Sequence, residues 1–435
     1  MQDDNALIRK KSLFKERLLF VHMQNILKSK NNKLYILSVI TDNLGSSLMS
    51  FALPLMVLDI SKNGIHLSII SIIETLPILV LGLPAGALTD KLDVKKILIF
   101  SDLIRLISYL ILSASFAFQL TVNCMILIIY AVSLVVSVTN TINTVSEITF
   151  VSSLVEKKDF SELNSLIYGI QYAANFALPI IGGILYQYIS HSLLIVICAV
   201  FYLISLLLEK RISLKTKSTT FTGFTALKSA LKTVKTDIKE GLQYTLNLRS
   251  VLYPLILAAL VNIVSANFDN DSLIILRTQL KLSSQSIGII SAIAAVGALI
   301  GTLVVNWLNE RIGFNLLFVS LIFAGAFFRV VFVLSQNVPT MVLAIAFVSI
   351  IESIINISII TNRQQQVEPR YLGRVTSIYK TVLIGVNSFG FLLGGLVAKK
   401  IGSRSGIGVS AIALLLVTII SIYLLKPKIK RDNKP

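Results

Sequence analysis

Charge is what this sequence has least of. Of its 435 residues only 14% are Asp, Glu, Lys or Arg, where a soluble domain needs roughly 25% to coat its surface. A chain that is 54% hydrophobic cannot bury all of that behind so thin a polar coat, so its solvent must be mostly lipid. Cysteine is nearly missing. Cys124 and Cys198 stand in separate apolar runs, which excludes a disulfide framework and a thiolate metal site. The three histidines, His22, His66 and His191, have no ligand spacing, so no metal is expected. There is no Gly-x4-Gly-Lys-Ser/Thr loop and no nucleophile–base constellation. Neither ATP hydrolysis nor any other enzymatic activity is expected, and no cofactor. Acid is the scarcer sign of charge, 22 residues against 40 basic. In a soluble protein that excess would point to nucleic acid; here the question is which side of a bilayer holds it.

What the chain has in abundance is long apolar runs. About twelve are present, from 35–58 to 405–425, each close to the roughly 20 residues that a bilayer core of about 30 Å requires. They far exceed the roughly ten residues of a barrel strand. The expected fold is an all-α membrane protein. Of the basic residues, 31 fall in the connections on one side and six on the other; Arg105, Arg329 and Lys380 lie inside spans. By the positive-inside rule both termini and the central linker are cytoplasmic, in a multi-pass protein of the cell membrane. The expected organisation is a cytoplasmic arm over 1–33, a six-helix bundle over 34–209, a linker over 210–250, a second bundle over 251–425 and a cytoplasmic tail over 426–435. The first thirty-odd residues are polar and basic, with no signal-peptide pattern. In the linker, Leu227, Leu231, Val234 and Ile238 share a helix face flanked by lysines, a pattern suited to the anionic inner leaflet.

The sequence also repeats itself. A shift of about 212–215 residues brings Gly82-x3-Gly86 onto Gly297-x3-Gly301, Val155-Glu156 onto Val367-Glu368, and Ser165 onto Ser377. It also brings Gly182-Gly183 onto Gly394-Gly395. Two homologous six-span halves follow. An even number of spans gives both halves one orientation, the parallel-repeat plan in which a cavity forms between rocking halves. Glycines at four-residue spacing let helices approach closely. With Pro179, the pairs Gly182/Gly183 and Gly394/Gly395 are candidate packing or hinge positions.

Between spans two and three the chain reads Gly86-Ala-Leu-Thr-Asp90-Lys91-Leu-Asp93-Val-Lys95-Lys96. This resembles the loop signature of the major facilitator superfamily, with Asp93 where the general pattern has glycine. Together with Asp102-Leu-Ile-Arg105, Leu53-Pro54, Leu76-Pro77, Glu240-Gly-Leu-Gln-Tyr244 and Gly373-Arg374-Val375, it is similar to the macrolide-efflux branch, drug:proton antiporters. Pro179, Gly182 and Gly183 match part of the antiporter signature of span five, although Leu178 replaces its first glycine. The resemblance covers nearly the whole chain. It implies the major facilitator fold, with a cavity lined by spans one, two, four, five, seven, eight, ten and eleven. It also implies an inner gate in which Asp90, Lys91, Lys95 and Lys96 act with Asp102 and Arg105, and Glu147 is a plausible counter-charge.

An ionisable group at mid-bilayer costs at least ~2.5–3.5 kcal/mol on insertion scales, so each needs a partner, a cavity or a proton. Asp102 and Arg105, three apart on one helix face, are expected to satisfy each other. Glu352 and Lys380 lie at similar depth and are expected to pair. Asp42 and Glu74 have no obvious basic partner and are the candidate proton-coupling residues, since a carboxylate in a low-dielectric cavity holds a proton more readily than in water. Phe268, Tyr168, Tyr172, Tyr379 and Phe389 are possible substrate contacts, though core or lipid-facing positions suit them too. The expected activity is secondary active efflux of lipophilic, drug-like molecules by proton antiport, by a chain that works as a monomer among membrane lipids. Two alternatives stand beside it: export of an endogenous metabolite such as a siderophore or peptide, or a non-transporting membrane sensor.

Overall fold

A computed structural model describes residues 29–89, 93–156, 159–213 and 239–426, with the side chains over 82–89 and at Ser161 left aside. The N-terminal arm, the amphipathic linker stretch, most of the tail, Gly82, Gly86, Asp90, Lys91, Lys157 and Lys158 therefore lie outside the described residues or side chains. Among the described residues the fold is helical throughout.

Twelve long helices follow one another: α1 (Lys30–Ser61), α2 (Ile65–Thr89), α3 (Val94–Ala117), α4 (Val122–Leu154), α5 (Phe160–Tyr188) and α6 (His191–Arg211) form the first half. The second half comprises α7 (Arg249–Gln279), α8 (Ser284–Ile312), α9 (Phe314–Leu334), α10 (Val338–Gln366), α11 (Pro369–Ile401) and α12 (Ser403–Leu425). A short helix over 239–247 precedes α7. Eleven of the twelve are long and apolar enough to cross a membrane; α2 is apolar over the shorter stretch Ile65–Leu81. In hydrocarbon every backbone N–H and C=O must bond within the protein, which is why the runs become unbroken helices. Their ends are set by local chemistry. The Asp93 side chain accepts from the backbone N–H groups of Lys95 and Lys96 and so caps α3. Ser283 and Asn337 cap α8 and α10 in the same way, and Lys62 in a left-handed conformation closes α1.

Helix α7 departs from the continuous span that its hydropathy predicts. It breaks after Ser265, resumes at Phe268 and finishes as a π-helical turn over Ile275–Gln279. The break falls in the polar run Asn267-Phe268-Asp269-Asn270-Asp271. There Asn267 turns aside to accept a 3.0 Å hydrogen bond from Ser68 of α2.

The halves meet along two seams, α5 against α8 and α2 against α11. Their bonds concentrate at the face opposite the first residue of α1. At that face the buried hydrophobics of both halves merge into one cluster, running from Leu48 and Leu194 to Phe268 and Met341. Toward the terminal face they separate into one cluster around Tyr35 and Phe150 and another around Phe318 and Tyr379. The molecule is thus joined at one end and parted at the other.

Candidate functional site

The repeated glycines hold the seams. A Cβ on Gly183 of α5 would lie 2.5 Å from the carbonyl oxygen of Ser284, at the start of α8. Its counterpart 212 residues on, Gly395 of α11, faces Ser68 of α2 equally closely. Their neighbours are also equivalent: Gly182 packs on Leu48 and Phe51 of α1, and Gly394 on Asn267 of α7. Pro179 lies inside α5, and its carbonyl faces Gly288 of α8 so closely that any side chain there would collide. Around these approaches the halves exchange polar contacts. Thr75 and Ser388 hydroxyls are 2.7 Å apart, and Asn270 donates to Ser71 at 3.0 Å. The strongest tie is ionic: Arg277, carried by the π-turn of α7, donates to both carboxylate oxygens of Asp59 in α1 at 3.0 and 2.7 Å. Tyr186 of α5 donates to the same carboxylate at 2.8 Å. Nothing in the sequence reading anticipated this clasp.

Where the halves part, a cavity of about 680 Å³ opens between α1, α2, α4, α5 and α11, with Tyr109 reaching in from α3. A second chamber of about 510 Å³, walled by α1, α5, α7, α8 and α10, shares Ser47, Ser50 and Asn175 with it. Together they use the eight helices that the resemblance implied. The lining of the larger chamber mixes Met49, Leu53 and Val132 with hydroxyls and amides such as Ser46, Asn140 and Gln171. Of the suggested aromatic contacts, Phe268 and Tyr379 are buried in the core, and none of the five is among the residues lining either chamber.

The intramembrane charges sort themselves differently from the sequence expectation. Asp42 is not without a partner: Arg105 donates to it, and also to Asp102 at 3.3 Å, with Tyr202 beneath the guanidinium. Helical spacing revealed the Asp102 partner; it could not reveal that Arg105 also reaches across to α1. The expected pair of Glu352 and Lys380 is replaced by another. Arg329 of α9 donates to Glu352 at 2.8 Å, because α10 packs on α8 and α9 and scarcely touches α11. Lys380 instead lines the larger chamber, exposed. Glu74 lines the same chamber, also exposed. Neither has an ion-pair partner among the described residues.

Of the expected gate residues, Asp90 and Lys91 lie outside the described residues, while Asp102 and Arg105 keep their expected pairing. Lys95 donates to the carbonyls of Lys210 and Ile212 at the end of α6, and the Lys96 side chain is exposed. Glu147 accepts from Asn143, one turn back on α4, and lies within electrostatic reach of Arg105. Two motifs that looked unrelated do meet: Arg374 donates to Glu240 at 2.6 Å, and Tyr244 stacks on Tyr371 with ring centres 4.4 Å apart. The helix over 239–247 is thereby fastened to the start of α11.

Twelve helices in two six-helix repeats around a central cavity define a membrane transporter of the major facilitator fold, and comparison with solved structures agrees. A nucleoside transporter, NupG, superposes with a TM-score of 0.72 at 14% identity, covering 91% of this chain and 100% of that one. A bacterial homologue of the iron transporter ferroportin, in an inward-facing state, gives 0.70 at 14% identity over 90% and 98%. The peptide transporter POT gives 0.67 at 12% over 92% and 95%. No curated protein sequence matches the chain. The family profile described as transmembrane secretion effector matches residues 27–435, and the chain belongs to that family of the major facilitator superfamily.

Proposed function

We propose that this protein is a secondary active exporter that moves amphipathic, drug-like molecules out of the cell by proton antiport, through alternating access, as a monomer. The bias of Lys and Arg toward one set of connections puts the parted face on the cytoplasmic side of the cell membrane, so the cavity takes cargo from within. A volume of about 680 Å³ suits a drug-sized molecule.

The observation that carries the reading is Glu74. It is an intramembrane carboxylate that lines the cavity and has no counter-ion among the described residues, so a proton is the partner left to it. It also sits beside Thr75, which bonds Ser388 across the α2–α11 seam. Loading and unloading a proton there acts next to a contact that must break when the halves rock. Asp42, already engaged by Arg105, is the secondary candidate. The hydroxyls and amides of the lining favour a second reading, in which the cargo is one particular polar metabolite rather than many drugs.

The test uses intact cells expressing the chain and preloaded with a panel of lipophilic fluorescent dyes, cationic, neutral and acidic. Faster clearance of at least one dye than in control cells, stopped by a protonophore and lost in Glu74→Gln, is expected. Clearance that ignores the protonophore, or that Glu74→Gln leaves unchanged, would remove the proton from the account.

A further inference from the structure

Among the described residues, Lys380 is a cation with no ion-pair partner. It is exposed in the larger chamber, and three of the other intramembrane carboxylates have partners of their own. Glu352 bonds Arg329, Asp42 bonds Arg105, and Glu147 is held by Asn143. Glu74 is the other charged residue lining that chamber, and the helix register separates the two. Ser68, Thr75 and Leu79 of α2 lie beside Gly395, Ser388 and Gly385 of α11, so the two helices run antiparallel. Lys380 therefore sits about nine residues, or about 14 Å, closer to the parted face than Glu74. Cβ atoms tilt toward a helix's N-terminus, which turns these two side chains further apart. A separation beyond the Debye length of about 8–10 Å leaves them weakly coupled through a wet cavity.

A cation kept inside a membrane span is costly unless its position is used. From its place near the mouth, in a chamber also lined by Asn140 and Thr144 of α4 and by Ser377 and Thr381 of its own helix, we propose that Lys380 seats an acidic group of the cargo. The substrate class is an amphipathic molecule bearing a carboxylate or a comparable anion, its apolar part against Met49, Leu53 and Val132. This rests on the transport reading above and narrows it.

The test compares dansyl-phenylalanine with its methyl ester, a pair differing in one negative charge, by fluorescence binding to the purified full-length protein. The acid is expected to bind about tenfold tighter than the ester, the scale of one charge-assisted hydrogen bond. Lys380→Met should equalise the two, and Lys380→Arg should keep the preference, which also shows that the cavity is intact. Equal binding of acid and ester by the unmodified protein, no binding of the acid, or a preference that survives Lys380→Met would overturn the assignment. Failure here is separable from failure of the transport reading. Protonophore-sensitive clearance of cationic or neutral dyes without an acid preference removes only the role of Lys380. An acid preference with no clearance of any dye removes only the coupled export.

Discussion

At the scale of single residues, the cost of charge in a low-dielectric interior organises both halves. Each half carries an arginine in its third helix, Arg105 in α3 and Arg329 in α9, each only 2% exposed. Each is held by a carboxylate from another helix, Asp42 of α1 or Glu352 of α10. Removing one partner of such a pair strands the other, at a cost of about 3–5 kcal/mol. Arg105→Gln should therefore lower the melting temperature of the purified protein markedly. Asp42→Asn should lower it less, since Asp102 still accepts from Arg105; equal losses would contradict this ranking. The sequence made every one of these charges conspicuous, because each interrupts an apolar run. It did not reveal the partners across helices. Counting residues from a helix end gives depth but not the direction a side chain faces, so Glu352 and Lys380 were expected to meet when packing turns one to Arg329 and the other to the cavity.

Among the elements, the repeat was the most informative feature of the sequence. The offset of 212 residues links Gly183 to Gly395, and the structure puts these at equivalent seams, α5 on α8 and α11 on α2. The clasp of Asp59, Arg277 and Tyr186 left no such trace, because its arginine is positioned by a π-turn within a span whose hydropathy looks continuous. The only hint was the polar run Asn267–Asp271 that breaks α7. Since the clasp joins the halves at the closed face, it must open whenever that face does, and weakening it shifts the population toward the other state. In a chain with Cys124 and Cys198 replaced by serine, Ser68→Cys reports on the seam, because Ser68 is 3% exposed. Adding Asp59→Asn should speed maleimide labelling of that cysteine severalfold, and exchanging the two charges (Asp59→Arg with Arg277→Asp) should slow it again. Unchanged labelling would mean that the clasp does not hold the face shut.

For the molecule as a whole, lipid solvation was legible from composition, the twelve helices from run length, and the parallel halves from the repeat. All three are averages over many residues. The cavity was legible only through family resemblance, because it exists between halves that are hundreds of residues apart in sequence. Of its contents, Glu74 stood out in the sequence as an acid with no obvious basic partner; that Lys380 lines the same chamber, and that neither has an ion-pair partner among the described residues, emerged from the packing. The central claim is that cargo and protons cross in opposite directions through that cavity. It is tested most directly by purified protein in liposomes enclosing a pH-sensitive dye, with a gradient of a molecule that the cells clear as the only driving force. Cargo moving down its gradient should drive protons the other way, and Glu74→Gln should abolish that proton flux. Cargo movement with no change in internal pH, or a proton flux that Glu74→Gln leaves intact, would contradict the account.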